Sequence, residues 1–563
     1  MKRAAQPCII DVQSFAVGDC ASCQVELRPR RGYPFRIRPD RSAASQDWGV
    51  MIMRAIALAL LIVLPAHAAL AQITQAKVTG GEVSGVVDGG ISIFKGIAFA
   101  APPVGDLRWK APAPVRPWTG VKKADAFADA CMQAPNTQGN TAAVSEDCLY
   151  LNVWTPAKSA KAKVPVVVWI HGGGYVGGST SIGMYDGTGF AKKGVVLVSL
   201  AYRLGPYGFM AHPELSRESG HGSGTYGIQD LVAGLQWVRS NISAFGGDPG
   251  NVTIFGHSAG AGAVSILAAS PLPKGMFHKV IAMSGGSFAP LQASEQGGFG
   301  MSIPQLHIAE ATGSAFLAML GVKNVAEARK LSADTIQAAT GGGMSFRPAA
   351  DGYVLSKDLY TLYQQHKFND TPVLLGHASD ETIVFGGPKE VTPAAFEKQI
   401  REQFGAQAES VLSAYPHASN ADALRATRHV RNDTSFAWNA WTWAREQSKQ
   451  GKGMVFSYYY NNHAPQAEGS GHGSDVPFAF QTLAGRRTPS PEDLALSDMI
   501  SSYYVNFAVM GNPNGKDLPQ WPAFTDKNQQ VMVFDAAPSA RTYPVLEQVR
   551  VFDPYFERIR KEQ

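Results

Sequence analysis

Short apolar segments recur along the chain and alternate with segments of helical periodicity. Those rich in β-branched and aromatic residues predict strands. They occupy residues 78–87, 149–154, 166–170, 195–200, 252–255, 280–283, 373–375, 454–459 and 531–534. Several are continuously apolar, which is typical of strands covered on both faces. The first of them, together with residues 91–94, is expected to form an antiparallel lead-in to a larger sheet.

The segments between these strands predict helices. Within residues 226–245, Leu231, Leu235 and Val238 recur at the spacing of one buried helical face. The alternation of strands and helices predicts an α/β fold with a large, mostly parallel sheet and helices on both faces. Residues 287–370 are richer in Gly and Ala and weaker in strand signal, so we expect a helical insertion there, near the active site.

The pentapeptide Gly256-His257-Ser258-Ala259-Gly260 has the pattern G-x-S-x-G between a predicted strand and a predicted helix. So tight a turn leaves its central residue strained and exposed, and a Cβ at either glycine would clash. This context is typical of the nucleophile elbow of α/β-hydrolases, which presents a serine at the carboxyl end of a strand. Ser258 is therefore the candidate nucleophile for acyl transfer. The alternative is a glycine-rich turn with no catalytic role.

Backbone donors for an oxyanion are expected on two segments. The sequence H-G-G-G-Y at residues 171–175 directly follows a predicted strand, and successive glycines let the backbone direct N–H groups into a pocket. The N–H groups of Gly173 and Gly174, with that of Ala259 after the nucleophile, would form an oxyanion hole. Tyr175 is expected to lie in the pocket beside them. The alternative for the glycine run is a flexible loop.

An orienting acid and then a histidine should follow the serine along the chain. Asp380 and Glu381 both lie just beyond the predicted strand 373–375, and the spacing does not choose between them. His472 lies in the small-residue sequence S-G-H-G-S-D, which would let an imidazole approach the serine. This histidine would take the serine proton and pass it to the leaving group, while the acid fixes its tautomer.

The beginning of the chain differs from the rest. An arginine precedes ten apolar residues, 55–64, and an A-x-A site ends at Ala71, a pattern typical of a secretory signal peptide. The apolar run is too short to span a bilayer, so no stable membrane span is expected. The chain thus divides into a leader or non-native extension (1–52), a signal peptide cleaved near Ala71 (53–71) and a single exported domain, periplasmic or secreted (72–563).

Removal of this leader changes the charge and cysteine counts. Nine of the 50 Lys and Arg and five of the 45 Asp and Glu lie in residues 1–71, which leaves 41 basic and 40 acidic residues. A net charge near zero gives no reason to expect nucleic acid as a partner. Only Cys131 and Cys148 remain of the five cysteines. An even count in an exported chain predicts one disulfide, worth roughly 3 kcal/mol.

Further motifs extend along most of residues 72–563. They are F-K-G-I-A-F at 94–99, P-P-V-G-D-L-R-W at 102–109, S-E-D-C-L-Y-L-N at 145–152, F-G-G-D-P at 245–249, M-G-N-P-N at 510–514 and W-P at 521–522. With the elbow and the glycine run, they resemble the signatures of the type-B carboxylesterase family, the cholinesterase-like α/β-hydrolases. The resemblance implies an α/β-hydrolase fold.

The resemblance also assigns roles to individual residues. It implies a triad of Ser258, Glu381 and His472, and it favours Glu381 over Asp380. It implies that Gly173, Gly174 and Ala259 are the oxyanion donors and that Cys131 pairs with Cys148. No metal or organic cofactor is implied.

Two departures from the family pattern affect the expected substrate. His257 precedes the nucleophile where the family usually has Glu, which predicts a less negative pocket and a weaker preference for cationic esters. The alternative is that His257 only fills space. The loop from Cys131 to Cys148 is short and contains no tryptophan to hold a quaternary ammonium. Choline esters are therefore not expected as preferred substrates.

These features predict a serine carboxylester hydrolase that acts through an acyl-enzyme on small-to-medium carboxylic esters. Bacterial members of the family include enzymes for p-nitrobenzyl esters and others for the polycarboxylate side-chain esters of fumonisins. The alternatives are an amidase, carbamate hydrolase or thioesterase with the same triad, and a catalytically silent binding module. The sequence does not indicate the oligomeric state.

Overall fold

The structure, a computed structural model, describes residues 72–563 except 136, 295–299, 343, 465 and 486–487. The predicted extension 1–52 and signal peptide 53–71 lie outside the described residues. Eleven strands of the described chain form one sheet. In order across the sheet they are Ser539–Thr542, Gln530–Phe534, Val455–Tyr460, Val373–Ala378, Lys279–Met283, Gly247–His257, Val164–Ile170, Val196–Leu200, Tyr150–Thr155, Ile91–Ala98 and Val86–Asp88.

The sheet is parallel in its centre and antiparallel at both edges. Neighbouring strands run parallel from Gln530–Phe534 across to Val196–Leu200. Ser539–Thr542 pairs antiparallel at one edge, and the strands beyond Val196–Leu200 pair antiparallel at the other. The prediction of a large, mostly parallel sheet is confirmed. The carboxyl ends of its parallel strands therefore all lie on the same side of the molecule, which is where folds of this kind bind their ligands.

Two apolar cores cover the faces of the sheet because successive side chains of a strand point to opposite faces. Val166, Val168 and Ile170 belong to one core, and Val167 and Trp169 belong to the other. Helices Tyr226–Asn241, Ala259–Ala269 and Trp438–Gln450 pack on the first face. Helices Thr188–Lys192, Val476–Phe480 and Pro491–Met510 pack on the second face.

Further helices lie outside this central layer. They are Gly205–Phe209, Pro213–Ser219, Leu306–Met319, Val325–Ala328, Ala333–Ala339, Leu359–Gln364, Pro393–Phe404, Ala408–Ala414, Asn420–Asn432, Leu546–Arg550 and Asp553–Glu562. Those between residues 306 and 364 confirm the predicted helical insertion. A π-helical turn, Asp433–Ala437, joins helix Asn420–Asn432 to helix Trp438–Gln450. None of the described helices combines the length and apolar character needed to cross a membrane.

The first strands of the chain differ from the single strand that the sequence predicted over residues 78–87. Gln75–Val78 and Gly81–Ser84 pair in a separate small sheet with Val121–Lys123, and only Val86–Asp88 joins the large sheet. The break occurs because Gly80 has φ +102°, and a Cβ there would lie 2.4 Å from the ring of Trp118. The prediction of one strand across residue 80 was therefore wrong.

One disulfide closes a loop beside the large sheet. Cys131 and Cys148 are joined, with their Cα atoms 5.0 Å apart. Cys131 lies in the short strand Ala130–Cys131, which pairs with Val144–Ser145. Both cysteines are buried. The predicted disulfide is thus present.

Candidate active site

Ser258 lies where the central strand Gly247–His257 ends and a helix begins. Its backbone has φ 58° and ψ −125°, a conformation that costs a residue with a side chain about 1–3 kcal/mol. A Cβ on Gly260 would lie 2.1 Å from the carbonyl oxygen of Ile170, and one on Gly256 would lie 2.4 Å from the backbone of Gly260. The two glycines thus make the turn possible, and the turn holds the serine at the carboxyl end of the strand.

Glu381 and His472 form a buried acid–base pair. Nδ1 of His472 lies 2.5 Å from Oε2 of Glu381, whose side chain is fully buried. Oε1 of the same carboxylate accepts a 2.6 Å hydrogen bond from the N–H of Ala378. Burial alone would raise the pKa of Glu381, but the charge and hydrogen bond of His472 hold that pKa below its ordinary value. Glu381 is therefore anionic at neutral pH and fixes the orientation of the imidazole.

The other ring nitrogen of His472 faces the reaction space. Nε2 is buried and has no hydrogen-bond partner among the described residues. The rings of Phe385 and Phe436 lie 5.0 Å from the imidazole, and the ring of His257 lies 4.5 Å from it. His472 and Ser258 line the same cavity. This nitrogen is thus available to accept a proton, and the neighbouring rings restrict the motion of the imidazole.

The glycine run lies directly against the nucleophile. A Cβ on Gly172 would lie 2.9 Å from Cβ of Ser258. Gly173 and Gly174 have φ values of +119° and +63°, which are readily adopted by glycine. Within the described chain, the N–H groups of Gly173, Gly174 and Ala259 donate no hydrogen bond. These three donors remain available for a negative oxygen on a bound substrate.

The cavity above the serine has a volume of about 1250 Å³. Apolar side chains from the helical insertion line one part of it, and the π-helical turn lines another. Those of the insertion include Met301, Ile308, Met344 and Phe346, and helix Gly205–Phe209 adds Phe209. Thr434, Ser435 and Phe436 are the lining residues of the π-helical turn. A space of this size admits a substrate larger than a simple acetate ester.

Comparison with known proteins identifies the family. The family described as "Carboxylesterase family" matches residues 67–552 of this chain. The chain belongs to the carboxylesterase family. It is a serine carboxylester hydrolase.

Relatives of known activity cover most of this carboxylesterase. It is 35% identical to the fumonisin B1 esterase of Sphingopyxis macrogoltabida over 81% of its own length and 85% of the relative. It is 33% identical to the para-nitrobenzyl esterase of Bacillus subtilis (strain 168), and the match covers 81% of this chain and 94% of the relative. Liver carboxylesterase 1F of Rattus norvegicus is 31% identical, and the match covers 83% of this chain and 91% of the relative.

Solved structures show the same fold. A PNB esterase structure superposes with a TM-score of 0.74 at 31% identity, covering 85% of this carboxylesterase and 100% of that chain. A carboxylesterase of Geobacillus stearothermophilus superposes with a TM-score of 0.74 at 30% identity, with the same coverage of both chains. The α/β-hydrolase fold predicted from the sequence is therefore confirmed.

The structure shows which of the two candidate acids contacts the histidine. Glu381 contacts His472, whereas Asp380 pairs with Arg428 at 2.7 Å. Burial raises the pKa of Asp380 in spite of the charge of Arg428, which acts in the opposite direction. In this carboxylesterase, Asp380 therefore contributes an ion pair beside the site, and Glu381 occupies the position of the orienting acid.

Two further residues named from the sequence line the cavity of the carboxylesterase. His257 is buried beside His472, and its Nε2 has no hydrogen-bond partner in the described chain. Burial, assisted by the charge of His472, lowers the pKa of His257 well below its ordinary value. His257 is therefore uncharged at neutral pH. Tyr175 is also buried and lines the cavity, and its hydroxyl likewise has no hydrogen-bond partner among the described residues.

Sequence reasoning missed three residues around the site. Asn432 accepts a 2.8 Å hydrogen bond from the N–H of Glu381. Asp475 is buried three positions after His472. Arg347 reaches the cavity from the irregular segment between helices Ala333–Ala339 and Leu359–Gln364. Asp475 was visible in the histidine loop, but no pattern in the sequence marked Asn432 or Arg347.

Proposed function

We propose that Ser258, His472 and Glu381 hydrolyse carboxylic esters of small to medium size through an acyl-enzyme. The observation that carries the proposal is the 2.5 Å contact of His472 Nδ1 with the buried Glu381. It leaves Nε2 of the same imidazole open to the cavity that Ser258 lines. This arrangement provides a nucleophile, a base and an orienting acid.

Acylation begins with transfer of the Ser258 hydroxyl proton to Nε2 of His472 as Oγ attacks the ester carbonyl. The carbonyl oxygen becomes an oxyanion, which accepts hydrogen bonds from the N–H groups of Gly173, Gly174 and Ala259. Each such donor typically contributes about 3 kcal/mol to stabilisation of the transition state. Glu381 stabilises the imidazolium that forms without taking its proton.

The tetrahedral intermediate then collapses to the acyl-enzyme. The bond from the carbonyl carbon to the alcohol oxygen breaks, and His472 gives its proton to the leaving alkoxide. Water attacks the acyl-enzyme with His472 again as base, which releases the carboxylic acid and restores Ser258. The same steps would serve an amide, carbamate or thioester, so comparison of matched leaving groups decides among them.

The test is hydrolysis of p-nitrophenyl acetate and butyrate by the wild-type protein and by Ser258→Ala. We expect a burst of p-nitrophenol equal to the enzyme concentration, followed by steady turnover, and no burst from the variant. Circular dichroism of Ser258→Ala checks that it is folded. Equal turnover by both proteins would contradict the proposed nucleophile. If the folded wild-type protein hydrolyses neither ester, the same comparison is repeated with larger esters, which tests whether the pocket excludes small ones.

We also propose that the protein is exported, as the signal-peptide pattern before residue 72 predicts. The Cys131–Cys148 disulfide supports this location because disulfides persist in oxidising compartments. Expression in a bacterium, followed by fractionation and N-terminal sequencing, tests it. A periplasmic or secreted product that begins near Gln72 is expected. A cytoplasmic product with residues 53–71 intact would contradict it.

A further inference from the structure

Arg347 is a half-buried arginine that forms no ion pair with any Asp or Glu of the described residues. Its Nε donates to Oγ of Ser345 at 3.1 Å, and its Nη1 donates to the carbonyl oxygen of Gly300 at 2.6 Å. Its Nη2 makes no hydrogen bond with the described residues. A guanidinium has five N–H donors in a planar fork that fits a carboxylate. One side of the Arg347 fork is therefore unused within the described chain.

The other arginines of the described chain show that this is unusual. Apart from Arg347, each described arginine that is buried or half-buried forms an ion pair with Asp or Glu. The paired residues are Arg108, Arg203, Arg329, Arg428, Arg445 and Arg560. An unpaired charge away from water is costly. Within the part of the chain that the structure describes, Arg347 is therefore a half-buried charge without an ion-pair partner, and a bound anion would supply one.

Arg347 faces the cavity that contains Ser258, together with Tyr175. The hydroxyl of Tyr175 is buried and has no hydrogen-bond partner among the residues that the structure describes. Burial raises the pKa of Tyr175, and the nearby charge of Arg347 acts in the opposite direction. Nη2 of Arg347 and the hydroxyl of Tyr175 thus belong to the same cavity, each without an acceptor among the described residues, and Tyr175 directly follows the glycines of the oxyanion hole.

The described lining of the cavity carries no opposing negative charge. Among the described residues, no Asp or Glu lines it, and Arg431 is a second lining arginine without an acidic partner. Arg431 is exposed and donates to the carbonyl oxygen of Gly386 at 2.9 Å. His257, next to the nucleophile, is uncharged. The lining charge is therefore positive, and an anion is the ligand that complements it.

We propose that Arg347, with the hydroxyl of Tyr175, binds a free carboxylate carried by the ester substrate. The inference rests on the proposed function, because it assigns the substrate class of the same site. The carboxylate would accept hydrogen bonds from the guanidinium and from the phenol, and this contact would position the scissile carbonyl at Ser258. Arg347 is then a specificity residue, and it takes no part in bond making or breaking.

The test compares esters that differ only in charge. Mono(4-nitrophenyl) adipate and its neutral monoamide carry the difference on the acyl side. 4-Acetoxybenzoate and 4-acetoxybenzamide carry it on the alcohol side. For each pair, the ratio of kcat/KM for the anionic and the neutral ester is measured in wild type, Arg347→Met and Arg347→Lys. Spontaneous hydrolysis is subtracted, and Arg541→Met serves as a control because Arg541 lies on the surface in strand Ser539–Thr542.

We expect Arg347→Met to lower this ratio by about 10- to 100-fold for at least one pair, as for a hydrogen bond to a charged group. Arg347→Lys should restore part of the ratio, and Arg541→Met should not change it. An equal fall for the anionic and neutral members of both pairs would overturn the proposal. It would mean that Arg347 acts only by holding the backbone at Gly300.

A binding measurement separates this inference from the proposed catalysis. Isothermal titration of the wild-type protein with adipate dianion requires no turnover. We expect binding that weakens by at least about tenfold in Arg347→Met and is retained in Arg541→Met. Equal affinity of wild type and Arg347→Met for adipate would overturn the proposal even if the esterase activity is present. Loss of ester turnover with retained adipate binding would instead count against the catalytic assignment.

Discussion

At the scale of single residues, Glu381 acts through its charge and through one hydrogen bond. Glu381→Gln keeps the shape of the side chain but removes the charge that stabilises the His472 imidazolium, and its amide can hold the wrong tautomer. We expect kcat to fall by about 10³- to 10⁴-fold with little change in KM. Steady-state kinetics with p-nitrophenyl butyrate measure the effect.

Asp380→Asn provides the matched control for this prediction. Asp380 precedes Glu381 but pairs with Arg428, so its substitution should lower the unfolding temperature while kcat falls by less than about tenfold. A fall in kcat as large as that of Glu381→Gln would show that the two acids act together. Thermal unfolding of both variants distinguishes loss of function from loss of fold.

Asp475 links the stability of the site to pH. Its side chain is buried, Oδ2 accepts a 2.7 Å hydrogen bond from the hydroxyl of Tyr458, and Oδ1 has no partner among the described residues. Burial, assisted by the charge of Glu381, raises the pKa of Asp475 from 3.8 to about 7. The folded state therefore holds this proton more tightly than the unfolded chain. Its contribution to stability is complete below pH 4 and is lost as the pH rises towards 7.

Asp475→Asn should remove this pH dependence while keeping the acceptor for Tyr458. We expect the free energy of unfolding of the variant, relative to wild type, to increase between pH 4 and pH 8 by up to about 4 kcal/mol. Urea denaturation of both proteins at pH 4 and pH 8 measures the change. A difference between the two proteins that is the same at both pH values would contradict the assignment.

At the scale of elements, the nucleophile elbow depends on the space around Gly260. The Cβ of Gly260→Ala would lie 2.1 Å from the carbonyl oxygen of Ile170, so the strand and helix could not keep their present positions. We expect loss of activity and destabilisation by more than about 3 kcal/mol, which includes failure to accumulate as folded protein. Gly183→Ala is the control, because a Cβ there meets no atom within 4 Å. An active, stable Gly260→Ala would contradict the description of the turn.

The sequence predicted elements well where one physical rule determined them. Residues 166–170 are apolar on both faces, and the structure places them in the centre of the sheet. The G-x-S-x-G pattern predicted its turn because the two glycines have steric reasons to be there. The strand expected across residue 80 was wrong because packing of Gly80 against Trp118 determines the break, and that contact joins residues distant in sequence.

The sequence was less informative about which side chains meet. Spacing alone could not choose between Asp380 and Glu381, because the direction of each side chain is set by the turn after strand Val373–Ala378 and by distant Arg428. Arg347 left no signal, since it lies in an irregular segment and its importance comes from having no acidic neighbour among the described residues. Such an absence can be recognised only when the surrounding side chains are placed in space.

At the scale of the whole molecule, the net charge of residues 72–563 is close to zero, whereas the described lining of the cavity carries an excess of positive charge. Residues 72–563 carry nearly equal numbers of basic and acidic side chains, so long-range steering of an anionic substrate should be weak. The positive charges that line the cavity, Arg347 and Arg431, differ in exposure. At 0.1 M salt, interactions between exposed charges are screened over a Debye length of about 10 Å, whereas interactions of buried charges are screened much less.

The salt dependence of turnover should therefore separate the two arginines. Raising the ionic strength from 0.05 to 0.5 M is expected to lower kcat/KM for mono(4-nitrophenyl) adipate by about two- to fivefold and to leave the neutral monoamide almost unaffected. Arg431→Gln should reduce this dependence, because Arg431 is exposed at the cavity. Arg347→Met should lower kcat/KM for the anionic ester while much of the salt dependence remains. Equal salt dependence for the anionic and neutral esters would show that the exposed Arg431 does not act on the charge of the substrate.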